Sequence, residues 1–203
     1  MGSSRGAILT IGHSTHELSQ FVWLLNRHNV TAVADVRSQP RSRLEQFCRS
    51  ALEGGLKAEG VEYVFLGKEL GARRDEPECY RDDRVDYNRI AQLPAFIAGL
   101  ERIERGSQVH VIALMCAEKD PLDCHRMVLV GRHLCRRGLK IAHILADGTL
   151  ETQASAERRM IRMVGIERTL FEPDLGEQDL VERAYDQRGF QIAYQQTHRG
   201  RME

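Results

Sequence analysis

The chain has no run of about 18 consecutive apolar residues, so no segment reads as a membrane span. Its start, Met-Gly-Ser-Ser-Arg-Gly, has no apolar core, and we expect no secretory signal. Net charge is also absent: 29 Lys+Arg balance 29 Asp+Glu. That excludes a globally basic nucleic-acid coat and leaves only local anion recognition. There is no CxxC pair among the 5 cysteines, and Cys116 and Cys124 lack a zinc-ribbon or finger spacing. An odd cysteine count without an export signal points to reduced thiols in a cytoplasmic protein. No internal repeat or low-complexity tract interrupts the chain.

What remains is ordinary globular material. The 203 residues are 42% hydrophobic and 29% charged, enough for one domain with an appendage. Short apolar, β-branched runs at 7–13, 31–36, 61–66, 109–116 and 141–145 read as buried strands. Helical periodicity separates them. Ser14 or Thr15 with Glu17 forms a capping-box pattern ahead of Leu18, Phe21 and Leu25. A helix in 87–104 is expected to begin only at Pro94. Another opens at Asp123-Cys-His-Arg126 and closes at Gly138. The alternation predicts an α/β fold, with a mostly parallel five-stranded sheet and helices on both faces. We expect residues 1–150 to form this core and 151–203 a helical C-terminal extension with a frayed end. That extension would pack on the core or on a partner, possible homodimer formation included. The polar stretch 67–86 reads as a lid, with Gly67 and Gly71 as hinges and Tyr80 or Tyr87 reaching the site.

In an open parallel sheet, ligands bind beyond the carboxyl ends of the strands. Three predicted strand ends deliver His13-Ser14, Asp35-Val-Arg37 and Cys116-Ala-Glu118. The segment from Met115 to Arg126 places two thiols, His125 and Arg126 around an expected helix N-terminus, which favours anions and lowers thiol pKa values. Arg37, Arg41, Arg43 and Arg49 form the strongest basic patch. From these residues we expect an anionic, phosphate-bearing substrate, a nucleotide or nucleic acid. His13 would be the general acid or base, and Cys116 or Cys124 the nucleophile. Glu118 and Asp35 would orient His13 or an arginine, while Ser14, Arg37, Arg41, His125 and Arg126 would hold the anion. The Cys–Arg spacing does not fit the phosphate loop of protein tyrosine phosphatases.

Two other readings stay open. One is a noncatalytic module that binds nucleic acid or a phosphorylated ligand. The other is a metal-dependent hydrolase, since His13, Cys116, Cys124 and His125 are zinc-compatible residue types, although no metal or other cofactor is assigned. The segments Thr10-Ile-Gly-His-Ser14, Asp35-Val-Arg37 with Pro40 and Ser42, Leu66-Gly67 with Leu70-Gly71, and Met115-Cys-Ala-Glu118 leading to Cys124-His-Arg126 carry a family resemblance. Over about residues 8–148 the chain resembles the prokaryotic family catalogued as domain of unknown function 488. The resemblance implies one cytoplasmic domain type and brings no activity, substrate or cofactor.

Overall fold

A computed structural model of the chain describes residues 7–167 and 176–196. The expected frayed end, 197–203, lies outside them. Strands β1 (Ala7–Gly12), β2 (Ala32–Asp35), β3 (Glu62–Phe65), β6 (Ile112–Cys116), β7 (Lys140–Ile144) and β8 (Leu150–Thr152) form a six-stranded sheet in the order β3-β2-β6-β1-β7-β8. The first five are parallel and β8 runs antiparallel to β7. A separate two-stranded hairpin pairs β4 (Tyr80–Arg81) with β5 (Arg84–Val85).

Six strands replace the five expected. Asp147-Gly148 turns the chain back on itself, with Gly148 at φ 82, and the returning residues 150–152 pair with 142–144. A turn glycine with positive φ suits such a tight reversal.

Period-two alternation sorts the strand residues onto two faces. Ile8, Ala34, Ile112 and Leu114 meet Phe96 and Leu100 of α5 (Pro94–Gly106) and Leu134 of α6 (Arg132–Arg136). Leu9, Ile11, Val33 and Ala113 meet Phe21 and Leu24 of α1 (Leu18–Arg27) and Leu52 and Leu56 of α2 (Arg49–Ala58). Each such fully buried side chain contributes about 1.5–3 kcal/mol. Helices therefore cover both faces, as expected.

The expected capping box is absent. Glu17 is the N-cap of α1 and makes no side-chain cap bond, while Ser14 sits at φ 46. Its N–H is already committed to the Ala117 carbonyl at 2.9 Å, so Ser14 fastens a loop instead of starting a helix. The short helices α3 (Gly67–Leu70) and α4 (Tyr87–Ile90) flank the β4–β5 hairpin. Asp86 caps α4 by accepting from the Asn88 and Arg89 N–H groups, and Pro94 begins α5 as expected. Residues 126–131 form a π-helix, a wide turn that the sequence periodicity does not reveal.

Helices α7 (Gln153–Val164) and α8 (Glu177–Ile192) occupy the C-terminal extension. Ala156, Met160, Ala184 and Tyr185 pack with Leu122, Met127 and Val128. Buried Arg132 pairs with Glu182 and, at 2.8 Å, with Asp186. Arg159 reaches Asp120 at 2.7 Å, and Arg188 pairs with Asp123. Among the described residues, no helix is long and apolar enough to cross a membrane.

Candidate active site

Strands β2, β6 and β1 are neighbours in the sheet, so their carboxyl ends converge. Above them lies a pocket of about 450 Å³. Its floor is Cys116, Glu118, Cys124 and His125, and Arg37, Arg41 and Arg73 bring cationic side chains to its wall. Tyr87 and Tyr194 supply aromatic surface. Cys116 arrives at the end of β6, whereas Cys124 and His125 follow the 3-10 turn Pro121–Asp123. The strand, the turn and the π-helix thus fold one segment around two thiols.

His125 is oriented by its outer nitrogen. Nε2 lies 2.9 Å from the Val36 carbonyl oxygen, which can only accept, so Nε2 carries the hydrogen. In the neutral ring Nδ1 is then an open acceptor. It faces Cys116 Sγ at 3.7 Å and Cys124 Sγ at 3.9 Å. Cys124 Sγ also lies 2.9 Å from Glu118 Oε2, and it accepts the Arg126 backbone N–H at 3.4 Å.

These buried groups share too few protons to act independently. Burial alone raises the Cys124 thiol, but contact with Cys116, the Arg126 guanidinium and His125 hold it well below the ordinary thiol value. Cys116 is pushed the other way by its contact with Cys124 and by burial. Burial lowers His125, yet the neighbouring Cys124 and the Val36 carbonyl carry it above the usual imidazole value. Glu118 is raised by burial and by the charge on Cys124. The direction is consistent: negative charge belongs on Cys124, with protons on its neighbours.

The remaining expected site residues take different places. Asp35 is fully buried and accepts four hydrogen bonds: from the Arg37 N–H at 3.1 Å, Arg37 Nε at 2.9 Å, Arg37 Nη2 at 2.6 Å and the Tyr63 hydroxyl at 2.8 Å. It positions Arg37 and has no lone pair directed at the pocket. Arg37 Nη1 donates to the Phe47 carbonyl at 2.9 Å and lies 3.4 Å from His13 Nε2. Of five guanidinium N–H groups, one on Nη2 remains for a ligand. His13 stacks on Phe47 with centroids 4.3 Å apart, and its Nδ1 donates to the Ser14 carbonyl. Burial holds it neutral, down to a pKa of about 4. His13 therefore supports Arg37 from below, and the histidine beside the thiols is His125. Expected roles and observed places are exchanged between these two residues.

Arg126 is likewise turned inward. It is fully buried and donates from Nη1 to the Glu118 carbonyl at 2.7 Å and from Nη2 to the Lys119 carbonyl at 3.1 Å. It shapes the 117–120 loop and presents no donor to the pocket wall. Asp123 is bound to Arg188 and is not a helix cap. Gly67 and Gly71 are close-packing positions and not hinges: a Cβ at Gly67 would meet the Arg37 carbonyl oxygen at 1.9 Å, and one at Gly71 the Gly67 carbonyl oxygen at 2.3 Å. From the long loop, Arg73 and Tyr87 line the pocket, while the Tyr80 hydroxyl donates to the Arg74 carbonyl at 2.6 Å.

Three pocket residues have no assigned role on sequence grounds. Arg73 holds its guanidinium over the Tyr194 ring at 4.8 Å, and Ile192 and Tyr194 bring the end of α8 to the pocket wall. Charge patterning in 67–86 could have drawn attention to Arg73. Nothing local marks Tyr194.

The pocket thus lies at the carboxyl ends of the parallel strands of a mixed α/β sheet. The family model described as Domain of unknown function DUF488 matches residues 17–132. The chain belongs to that family. The match carries β2, β3, β6 and the whole 115–126 segment, whereas Thr10 to Ser14 lie outside it. No curated protein and no solved structure matches the chain.

Proposed function

We propose that this chain is a thiol-dependent hydrolase or transferase acting on an anionic, phosphate-bearing substrate of nucleotide size or on a nucleic-acid end. The observation that carries the reading is the fixed orientation of His125, whose Nδ1 faces Cys124 at the floor of an arginine-walled pocket. A nucleophile with an adjacent, oriented base is the arrangement covalent catalysis requires. The Cys124 proton rests on His125 Nδ1, so the sulfur meets the substrate as a thiolate. The sulfur forms a bond to the electrophilic centre as the bond to the leaving group breaks, and the leaving group takes the proton from His125. Water or an acceptor molecule then attacks the centre, passes its proton to His125 and releases the sulfur, which regains a proton. Arg37, Arg41 and Arg73 attract the anion, and Asp35 and His13 hold Arg37 in place. The volume falls within the range of small-molecule sites.

Alkylation in the presence of a chelator tests the proposal. Peptide-mapped rates are measured with anionic iodoacetate and with neutral iodoacetamide. Cys124 is expected to react faster than half-buried Cys48, with its preference shifted toward iodoacetate, and nucleoside monophosphates should protect it. His125→Ala should remove the rate advantage. If Cys124 reacts no faster than Cys48 while nucleotides still bind, the pocket is a noncatalytic binding site.

A further inference from the structure

The two thiols and His125 have a geometry with a second use. Cys116 Sγ, Cys124 Sγ and His125 Nδ1 all lie within 4.8 Å of one another, and all three residues are buried. In a tetrahedral zinc site the metal–sulfur and metal–nitrogen bonds are about 2.3 Å and 2.0–2.1 Å, which places sulfur and nitrogen ligands about 3.6 Å apart. Here the sulfur–nitrogen separations are 3.7 and 3.9 Å. The two sulfurs, within 4.8 Å of each other, would need to close by about 1 Å at most to reach the roughly 3.8 Å that two 2.3 Å bonds in a tetrahedron require. The hydrogen bond from His125 Nε2 to the Val36 carbonyl is the outer contact that fixes a metal-binding imidazole, because it holds the ring and turns Nδ1 toward the two sulfurs. The same three residues line the pocket, so a fourth coordination position opens toward it.

We infer that Cys116, Cys124 and His125 form a binding site for a soft divalent cation, zinc above all, with the fourth position left to an anionic ligand or water from the pocket. Two sulfur donors and one imidazole select zinc over magnesium or calcium, which take oxygen ligands. His13, a zinc-compatible residue on sequence grounds, is not a ligand: its Nδ1 is bonded to the Ser14 carbonyl and its Nε2 faces Arg37. The inference goes beyond the proposed thiol chemistry and bears on its regulation. Zinc held by both sulfurs leaves neither free to attack, so the metal-loaded form is the resting one. Loading displaces each remaining thiol proton and the His125 Nδ1 proton to solvent as the metal–sulfur and metal–nitrogen bonds form, with no change of oxidation state.

Cobalt(II) titration of the reduced, metal-free full chain reads the site directly, since cobalt bound to thiolates in a tetrahedron gives intense thiolate-to-metal absorption and visible bands. We expect one equivalent of cobalt per chain, displaced by zinc, with proton release on binding. Cys116→Ser, Cys124→Ser and His125→Ala should each abolish the tetrahedral spectrum, while Cys135→Ser should leave it unchanged. Far-UV circular dichroism identifies any variant that fails to fold. For such a variant, zinc protection of Cys116 and Cys124 from alkylation in the unmodified chain gives the same answer. Absence of cobalt–thiolate absorption in the folded wild type, or its persistence in the Cys116→Ser and Cys124→Ser forms, overturns the inference. The outcomes also separate the two readings. Fast alkylation of Cys124 in chelator without a cobalt spectrum removes the metal site and leaves the thiol enzyme. A cobalt spectrum with sluggish alkylation does the reverse.

Discussion

Glycine 12 sets the spacing between β1 and the loop that carries Glu118, and replacing it with alanine should be costly. A Cβ there would lie 1.9 Å from the Glu118 carbonyl oxygen, where ordinary contact begins at 3.4 Å. The loop would have to retreat by about 1.5 Å. It is held against that retreat at several points. His13 N–H donates to the Cys116 carbonyl and Ser14 N–H to the Ala117 carbonyl, both at 2.9 Å. Arg126 Nη1 holds the Glu118 carbonyl itself at 2.7 Å, and Arg159 anchors Asp120. Overpacking of this kind costs about 1–3 kcal/mol. Loss of a hydrogen bond from a charged donor adds about 1.5–3 kcal/mol. Together they give a destabilisation of about 2.5–6 kcal/mol for Gly12→Ala. For a chain of this length that is a fall in Tm of roughly 5–24 °C. Thermal and urea unfolding followed by circular dichroism measure it. Gly54→Ala is the matched control, because a Cβ there meets nothing within 4 Å on helix α2. It should gain about 0.5–1 kcal/mol. A Gly12→Ala protein within 1 kcal/mol of wild type would refute the account of how this loop is held.

Three further outcomes are expected. His143 is fully buried against Thr10, and burial holds it neutral to about pH 4, whereas an unfolded histidine titrates near 6.5. The unfolded chain takes the proton first, so this contribution is fully present above about pH 6.5 and drains as pH falls toward 4, by up to about 3 kcal/mol. Urea midpoints from pH 8 to 4 should therefore fall less steeply in His143→Gln, and an unchanged slope would count against it. Arg132→Gln removes the pairs to Glu182 and Asp186 that tie α8 to the core; with those carboxylates partly exposed, the loss should be about 2 kcal/mol. Trypsin cleavage within 177–192 should accelerate, and an unaltered rate would mean that apolar packing alone holds the helix. Tyr194→Ala removes the ring beneath Arg73, and nucleotide protection of Cys124 against iodoacetate should weaken severalfold, as read from the protection midpoint.

The parallel strands were legible because their apolar runs are continuous and their helices periodic. β8 was not, since Leu150-Glu-Thr152 has three residues and one apolar side chain, and its pairing depends on the preceding turn. The convergence of Arg37, Cys116, Glu118, Cys124 and His125 followed from the rule about strand ends. Which histidine serves the thiols did not, because the answer rests on a hydrogen bond between His125 and Val36, 89 positions apart. Arg126 read as an anion ligand from its place near a helix start. In the fold its guanidinium turns back to two carbonyls of the preceding loop, a geometry set by the turn at Cys124 and the π-helix after it. The contributions of Ile192 and Tyr194 arise from helix docking, which leaves no local pattern.

The sheet order has a consequence for the way this protein is made. β1 is the first strand to leave the ribosome, yet it lies inside the sheet, and Ile8 finds its neighbours only at Ile112 and Ile141, 104 and 133 residues later. At about 5–20 residues per second, an apolar strand waits roughly 5–30 s without either partner. Contacts so distant in sequence also slow closure of the sheet once synthesis is complete. Residues 7–12 are therefore the first of the sheet's strands to be made and among the last to be sheltered.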